Sequence, residues 1–420
     1  MTELVKQVVD EGPVFENKGT KYLINWPAYK LTAEISRISA NHESTKCLIL
    51  FTTCHKDYNP HILQARLNLE ATRSRTELAK ELASRYKIEI PIDWKALTEY
   101  LVVKTLREYE RGEPVIELSS EDEVSPLEYL IHPIAPLLKP TVIFGEPGAG
   151  KSQLAVIFSI VMCLPWRDNP LRLVPPKAPV TTLFLDYEAD PEDVRRQLVS
   201  LAHGMKLPYI PLHYRRCSLP LADDVDSIIN HAEDIKAKCL IVDSVSLAAG
   251  DDPSKPGVAT EYFRKLRQTH LTSISLAHTS KDKEVRTKTI FGSVMWEAGA
   301  RSVWEIQGQE DENALDVALF HRKANLSKKF SPQGYRIIYQ NDQPSKVEWH
   351  SPEEVAEFVD KMPTTSRILD ALKEGEQSMD ALCESLIIGK TLCKVSLHRL
   401  KNKGLVTKLS DGNWGLAVRD

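Results

Sequence analysis

The chain lacks a Cys-x-x-Cys pair, an apolar run of membrane-spanning length, an excess of basic charge and any internal repeat or low-complexity tract. Its seven cysteines (47, 54, 163, 217, 239, 383 and 393) are scattered and odd in number, so free thiols in a reducing cytoplasm are expected. Cys54-His55 has no second half that would complete a metal centre, which leaves it a structural pair. With no apolar segment near its N-terminus and no spanning run, the chain is expected to be neither secreted nor membrane-embedded. The net charge of -4 gives no global basic field, so any nucleic-acid contact must come from local patches. A hydrophobic content of 42% and a charged content of 27% are ordinary for a globular protein. A length of 420 residues accommodates about two or three domains.

Against these absences stands one dense motif, Gly145-Glu146-Pro147-Gly148-Ala149-Gly150-Lys151-Ser152, which fits the phosphate-binding pattern G-x-x-x-x-G-K-[ST]. It follows the apolar run Thr141-Val142-Ile143-Phe144, read as a buried strand, and precedes Gln153–Phe158, read as an apolar helix. Glycines let backbone N–H groups turn around phosphate oxygens at the positive end of the helix dipole. Gly145 to Gln153 are therefore the predicted nucleotide-binding segment, Lys151 the phosphate ligand and Ser152 the Mg²⁺ ligand. ATP and Mg²⁺ are the expected ligands.

Two strand ends add chemistry. Cys239-Leu240-Ile241-Val242-Asp243 is an apolar run closed by an acid, and a carboxylate there can hold Mg²⁺-bound water. Leu183-Phe184-Leu185-Asp186-Tyr187-Glu188 ends in two acids, either of which could orient and deprotonate a water molecule.

Residues 1–118 carry no nucleotide motif and read as an α+β domain, with strands at Tyr22–Trp26, Leu31–Ile38 and Cys47–Thr52. Leu31, Ala33 and Ile35 alternate with polar residues, the period of a half-buried strand. Helices are predicted over Thr76–Tyr86 and Trp94–Tyr109. Residues 119–126 read as an acidic linker. Residues 127–342 alternate strands and helices, the pattern of an α/β domain with a mainly parallel sheet. In that domain Asp190-Pro191 marks a helix start. Residues 343–363 read as a second linker, and residues 364–420 as a small winged helix. Its third helix carries Lys390, Lys394, Arg399, Lys401 and Lys403 with no acid between them.

At residues 127–342 the chain resembles the RecA-like core of hexameric helicases and recombinases, and within it the RepA-type plasmid and phage helicases. Phe184-Leu185-Asp186-Tyr187-Glu188 is similar to the strand whose final glutamate is that family's catalytic base, which points to Glu188. Asp243-Ser244-Val245-Ser246-Leu247 resembles the strand and loop of its second nucleotide motif. Ser275-Leu276-Ala277-His278-Thr279-Ser280-Lys281 looks like the family's sensor. Only His278 and Lys281 carry over, because Ala277 replaces the first histidine of that pattern. Lys281, Lys283, Arg286 and Lys288 occupy the place of its DNA loop, where the resemblance implies contact with one strand. No aromatic alternates with them, so base stacking is not indicated. Phe291–Arg301 matches the helix that follows this loop. His321-Arg322-Lys323-Ala324-Asn325 falls where relatives place cations that reach a neighbouring subunit's ATP. Asn325 departs from that pattern and leaves Arg322, Lys323 and Arg301 as candidates. In the last domain Lys394, Arg399 and Lys401 are the expected duplex contacts.

The resemblance implies an ATP-driven motor on single-stranded DNA, assembled as a homo-oligomeric ring and most simply a hexamer. Two other readings remain: a recombination or loading ATPase without unwinding, and an ATP-switched winged-helix regulator. The intact set of Lys151, Glu188 and Asp243 argues against the regulator.

Overall fold

The central strands of an α/β sheet are covered on both faces, so they read as continuous apolar runs rather than alternating ones. Pro140–Gly145 (β8), Thr182–Asp186 (β9) and Cys239–Asp243 (β11) are buried at every position. In a computed structural model these strands lie inside a nine-stranded sheet. The structure describes the chain except residues 1–11, 20, 41–43, 113, 114, 116, 121, 281–288, 356, 357, 359–361, 363 and 418–420. The chain forms two compact units, Met1–Ser125 with Asp226–Ile228, and Pro126–Val225 with Ile229–Asp420.

The first unit is an antiparallel meander of five strands: Val14–Asn17 (β1), Tyr22–Trp26 (β2), Leu31–Ala40 (β3), Thr45–Thr53 (β4) and His61–Asn68 (β5). Two helices, Thr72–Arg85 (α1) and Trp94–Arg111 (α2), complete it. The alternation read in the sequence is real, for Leu31, Ala33 and Ile35 are fully buried. They pack with Ile49 and Phe51 of β4, Leu78 and Leu82 of α1 and Leu97 and Leu101 of α2. Asp93 caps α2 by accepting from the N–H groups of Lys95 and Ala96.

The second unit opens with a small ribbon, Tyr129–Ile131 (β6) and Ala135–Pro136 (β7), that leads into β8. Lys151–Cys163 (α3) follows β8, and Pro191–Gly204 (α4) follows β9. His213–Arg216 (β10) and Leu221–Asp234 (α5) precede β11. After β11 come Val245–Ala248 (α6), Pro256–Gln268 (α7), Thr272–His278 (β12) and Met295–Gly299 (α8). Ser302–Asp311 (β13), Ala314–Ala324 (β14), Gln333–Gln340 (β15) and Gln343–Trp349 (β16) finish the sheet, whose order is β10-β9-β11-β12-β8-β13-β14-β15-β16. The strands from β10 to β13 pair in parallel, and those from β13 to β16 are antiparallel. Asp190 caps α4 with Pro191 at its first position, as the sequence indicates.

Two differences from the sequence reading have physical causes. The linker expected over 343–363 begins instead with strand β16. Pro344 reads as a breaker, yet β16 is the last strand in the order, and an edge strand tolerates a residue that cannot donate. β13 also went unread, because Gly308 interrupts its pattern; a Cβ there would press on Ala149 of the phosphate loop. Further along lie three helices, Thr364–Lys373 (α9), Met379–Ser385 (α10) and Lys390–Asn402 (α11), and a hairpin of Val406–Lys408 (β17) with Trp414–Leu416 (β18). They share a small core of Ile368, Leu372, Leu382, Leu397 and Leu400. Among the described residues no helix is long and apolar enough to cross a membrane.

His321 on β14 is stacked on Trp304 of β13, with ring centroids 4.1 Å apart. Its Nδ1 accepts from the Phe330 N–H at 3.1 Å, and its Nε2 meets the Ser302 hydroxyl at 3.2 Å. Burial pushes its pKa down to about 4. An unfolded chain takes up this proton near the ordinary histidine value, well before the folded one does, so folding loses stability as pH falls from about 6.5 to about 4. The melting temperature is expected to drop across that window, and to drop less in His321→Phe. Equal drops in both proteins would remove His321 from the acid response.

Candidate functional site

Parallel strands deliver their C-terminal ends to one edge of a sheet, and ligands collect there. Register fixes which residues arrive together: Asp243 pairs with Asp186, and His278 with Gly145. The phosphate loop leaves β8 at that edge. Gly148 and Gly150 hold φ of +78° and +86°, a left-handed backbone that a side chain would strain, and Gly150 caps α3.

Lys151 opens α3 and is almost wholly buried. Its Nζ donates to the carbonyls of Gly145 at 3.1 Å and Glu146 at 2.7 Å. Burial lowers its pKa, while Asp243 and Glu188 pull it back up. Next to it the Ser152 hydroxyl donates to Oδ2 of Asp243 at 2.6 Å. Burial raises the Asp243 carboxyl to about 6, partly offset by that hydrogen bond. A serine hydroxyl and one carboxylate are hard oxygen donors of the kind Mg²⁺ accepts alongside phosphate oxygens and water. Among the described residues no cluster of three or more His, Cys, Asp or Glu forms an all-protein metal cage. The donor set therefore fits a Mg²⁺ that arrives with a nucleotide.

The two acids at the end of β9, Asp186 and Glu188, have separate tasks. Asp186 is buried, accepts from the N–H groups of Glu188 and Ala189 at 2.9 Å each, and takes the Tyr214 hydroxyl at 3.1 Å. With its lone pairs committed, it shapes the turn. Glu188 stays about 40% exposed, and its Oε1 meets Nε2 of His278 at 3.3 Å. The other ring nitrogen of His278 is buried with no partner among the described residues. Glu188, Ser152 and Asp243 line one cavity of about 290 Å³.

The basic segment is rooted at this edge. The Phe291 N–H donates to the His278 carbonyl at 2.8 Å and the Ser280 N–H to the Thr289 carbonyl at 2.9 Å. Lys281, Lys283, Arg286 and Lys288 themselves lie outside the described residues.

Two of the three finger candidates are engaged within the chain. Lys323 Nζ donates to the carbonyls of Glu297, Ala298 and Ala300 at 2.6 to 3.1 Å, at the C-terminal end of α8. Arg322 pairs with buried Glu305, Nε to Oε2 at 2.7 Å. Arg301 is exposed, and its guanidinium has no ion pair or hydrogen bond among the described residues. Lys394, Arg399 and Lys401 all lie exposed on α11. Sequence reasoning missed the Arg322–Glu305 pair, which depends on the β13–β14 register. It also missed Tyr339, whose hydroxyl accepts from Gln153 Nε2 at 3.3 Å.

A glycine-rich phosphate loop, strand-end carboxylates and a mainly parallel sheet in this order define a RecA-like P-loop ATPase core. Consistent with that class, the AAA domain family matches residues 106–284. Among solved structures the chain is similar to a KaiC-like protein from the hyperthermophilic archaeon Pyrococcus horikoshii. That match has 16% identity and a TM-score of 0.39, over 54% of this chain and 100% of that one. No curated protein matches the chain.

The raised Asp243 carboxyl generates a measurable expectation. A carboxylate must be deprotonated to serve a metal, so binding of Mg²⁺-ADP near pH 6 is expected to release a fraction of a proton. Affinity is expected to weaken as pH falls below that value. Calorimetry in buffers of different ionisation enthalpy reads the release, which Asp243→Asn should abolish. An unchanged release in Asp243→Asn would assign the proton to another group.

Proposed function

We propose that the protein is an ATP-hydrolysing motor that moves on single-stranded DNA as a homo-oligomeric ring, on the pattern of the RepA-type hexameric helicases. The observation that supports it best is the meeting of Glu188 with His278 at the root of the lysine-rich segment 281–288. Glu188, whose carboxylate stays about 40% exposed, takes the proton of the water that attacks the γ-phosphate. Lys151 offsets charge on the β- and γ-phosphate oxygens. Ser152 and Asp243 would hold Mg²⁺, which would supply positive charge against the phosphates. His278 touches the base with its side chain and the root of the basic segment with its backbone, so a shift in one is felt by the other. Lys281, Lys283, Arg286 and Lys288 are assigned to the strand, and Lys394, Arg399 and Lys401 to duplex phosphates.

Arg301 is assigned the role of the cation that completes a neighbour's site. Arg322 would have to abandon a buried carboxylate, and Lys323 three carbonyls, to leave their own subunit. Leaving Glu305 buried and unpaired is costly.

Turnover of ATP with and without single-stranded DNA tests the motor. Stimulation by DNA is expected, with Lys151→Ala inactive and Glu188→Gln reduced by about 10²- to 10⁴-fold. The motor reading is sunk if no nucleic acid stimulates the wild type. Unwinding of a forked duplex separates a helicase from a loading ATPase. Arg301→Ala is expected to lose about 10³-fold or more in kcat. Mixed with wild type, it should lower activity more steeply than simple dilution, and a linear response would place the residue's action within its own subunit.

A further inference from the structure

The three helices and the hairpin that end the second unit close around a core of their own. To that core α11 gives Cys393, Leu397 and Leu400, with Ser396 buried beside them. The opposite side of α11 takes no part in this packing, and its composition is unusual for a solvated face. Leu392 is 50% exposed and Val395 42% exposed. With Arg399 they fall three and four residues apart, so the three share one stripe. Lys394 and Lys401, both exposed and two turns apart, run beside that stripe. No acidic residue occurs from Lys390 to Lys408. Among the described residues only Lys390 of the cations in this stretch forms an ion pair, with Asp380 at 2.8 Å. The acids of the module lie on other elements, Asp370 on α9 and Asp380 and Glu384 on α10. An apolar stripe bordered by cations without partners suits a polyanion that has apolar groups between its charges.

The geometry points to a sequence-reading face: α11 enters the major groove of duplex DNA and recognises thymine, with Leu392 and Val395 as the specificity-determining residues. The major groove admits an α-helix, and its walls are phosphates, which the cations beside the stripe complement. On its floor the base edges offer donors and acceptors, and the one apolar group among them is the C5-methyl of thymine. Leucine and valine side chains neither donate nor accept hydrogen bonds. That methyl is therefore the feature by which they can tell one edge from another. Both residues sit in the N-terminal half of α11, the part of a recognition helix that meets base edges. The inference rests on the assignment of Lys394, Arg399 and Lys401 to duplex phosphates, and it needs no ATP and no second subunit.

The test is binding of the full chain, without nucleotide, to a fluorescent duplex of alternating dA and dT and to the same duplex with dU in place of dT. Uracil differs from thymine only by the missing methyl. Unlabelled single-stranded oligo-dC, present in both arms, competes for any site that takes single strands. Wild type is expected to bind the dT duplex more tightly, by about fourfold for each methyl it covers. In the double variant Leu392→Ser, Val395→Ser the ratio should fall to one through weaker binding of the dT duplex. Its melting temperature should stay near that of wild type, because both side chains are exposed. Lys394→Ala and Lys401→Ala should weaken both duplexes alike, and each should lower the salt slope of binding by about one. Equal binding of the two duplexes by wild type overturns the thymine readout and leaves the duplex reading standing. A preference that persists in the double variant belongs to duplex shape and overturns the assignment to Leu392 and Val395. Absence of duplex binding, or duplex binding that neither lysine variant weakens, overturns both readings and leaves the face to a protein partner.

Discussion

The site depends on keeping a carboxylate buried at the end of β11. Asp243 would be costly there if its charge were unpaired, and its raised pKa records that cost. The Ser152 hydroxyl and nearby Lys151 reduce it, which ties the first turn of α3 to the middle of the sheet. β11 lies between β9 and β12, is buried along its whole length, and pairs Asp243 with Asp186, so the ladder sets where the acid emerges. The position of one acid is thus held by the packing of the strands around it. Glu188, His278 and the phosphate loop inherit their places from the same register.

A division runs through the charged groups near this edge. Asp186, Arg322 and Lys323 have their hydrogen-bonding capacity consumed by the chain itself. Glu188 and Arg301 carry charge that the fold does not use for its own support. Residues that hold architecture and residues available for chemistry can therefore stand side by side in sequence, as Asp186 and Glu188 do. The completeness of their local bonding tells them apart.

Much of this was legible before any coordinates. The phosphate loop, the strands ending at Asp186 and Asp243, the cap at Asp190 and the alternation of Leu31, Ala33 and Ile35 are written in local patterns. Periodicity and capping chemistry act over a few residues, so a single sequence exposes them. The choice between Asp186 and Glu188 rested on family resemblance, since spacing leaves both within reach of the edge. What stayed hidden depends on pairing across distance. β16 was obscured by Pro344, which is acceptable only because nothing pairs on its far side. The engagement of Arg322 by Glu305 needs the β13–β14 register, and that of Lys323 needs the short helix α8 to end beneath β14. No local pattern announces either.

The root of the segment between Ser280 and Thr289 has a mechanical meaning. Its two ends are fastened to each other and, through the Phe291 N–H, to the carbonyl of His278. The Thr279 N–H also donates to the carbonyl of Gly145, so the ladder is tied directly to the end of β8. The residue at the foot of that ladder is the one whose ring touches Glu188. The foot of the segment thus meets both the Glu188 carboxylate and the first residue of the phosphate loop.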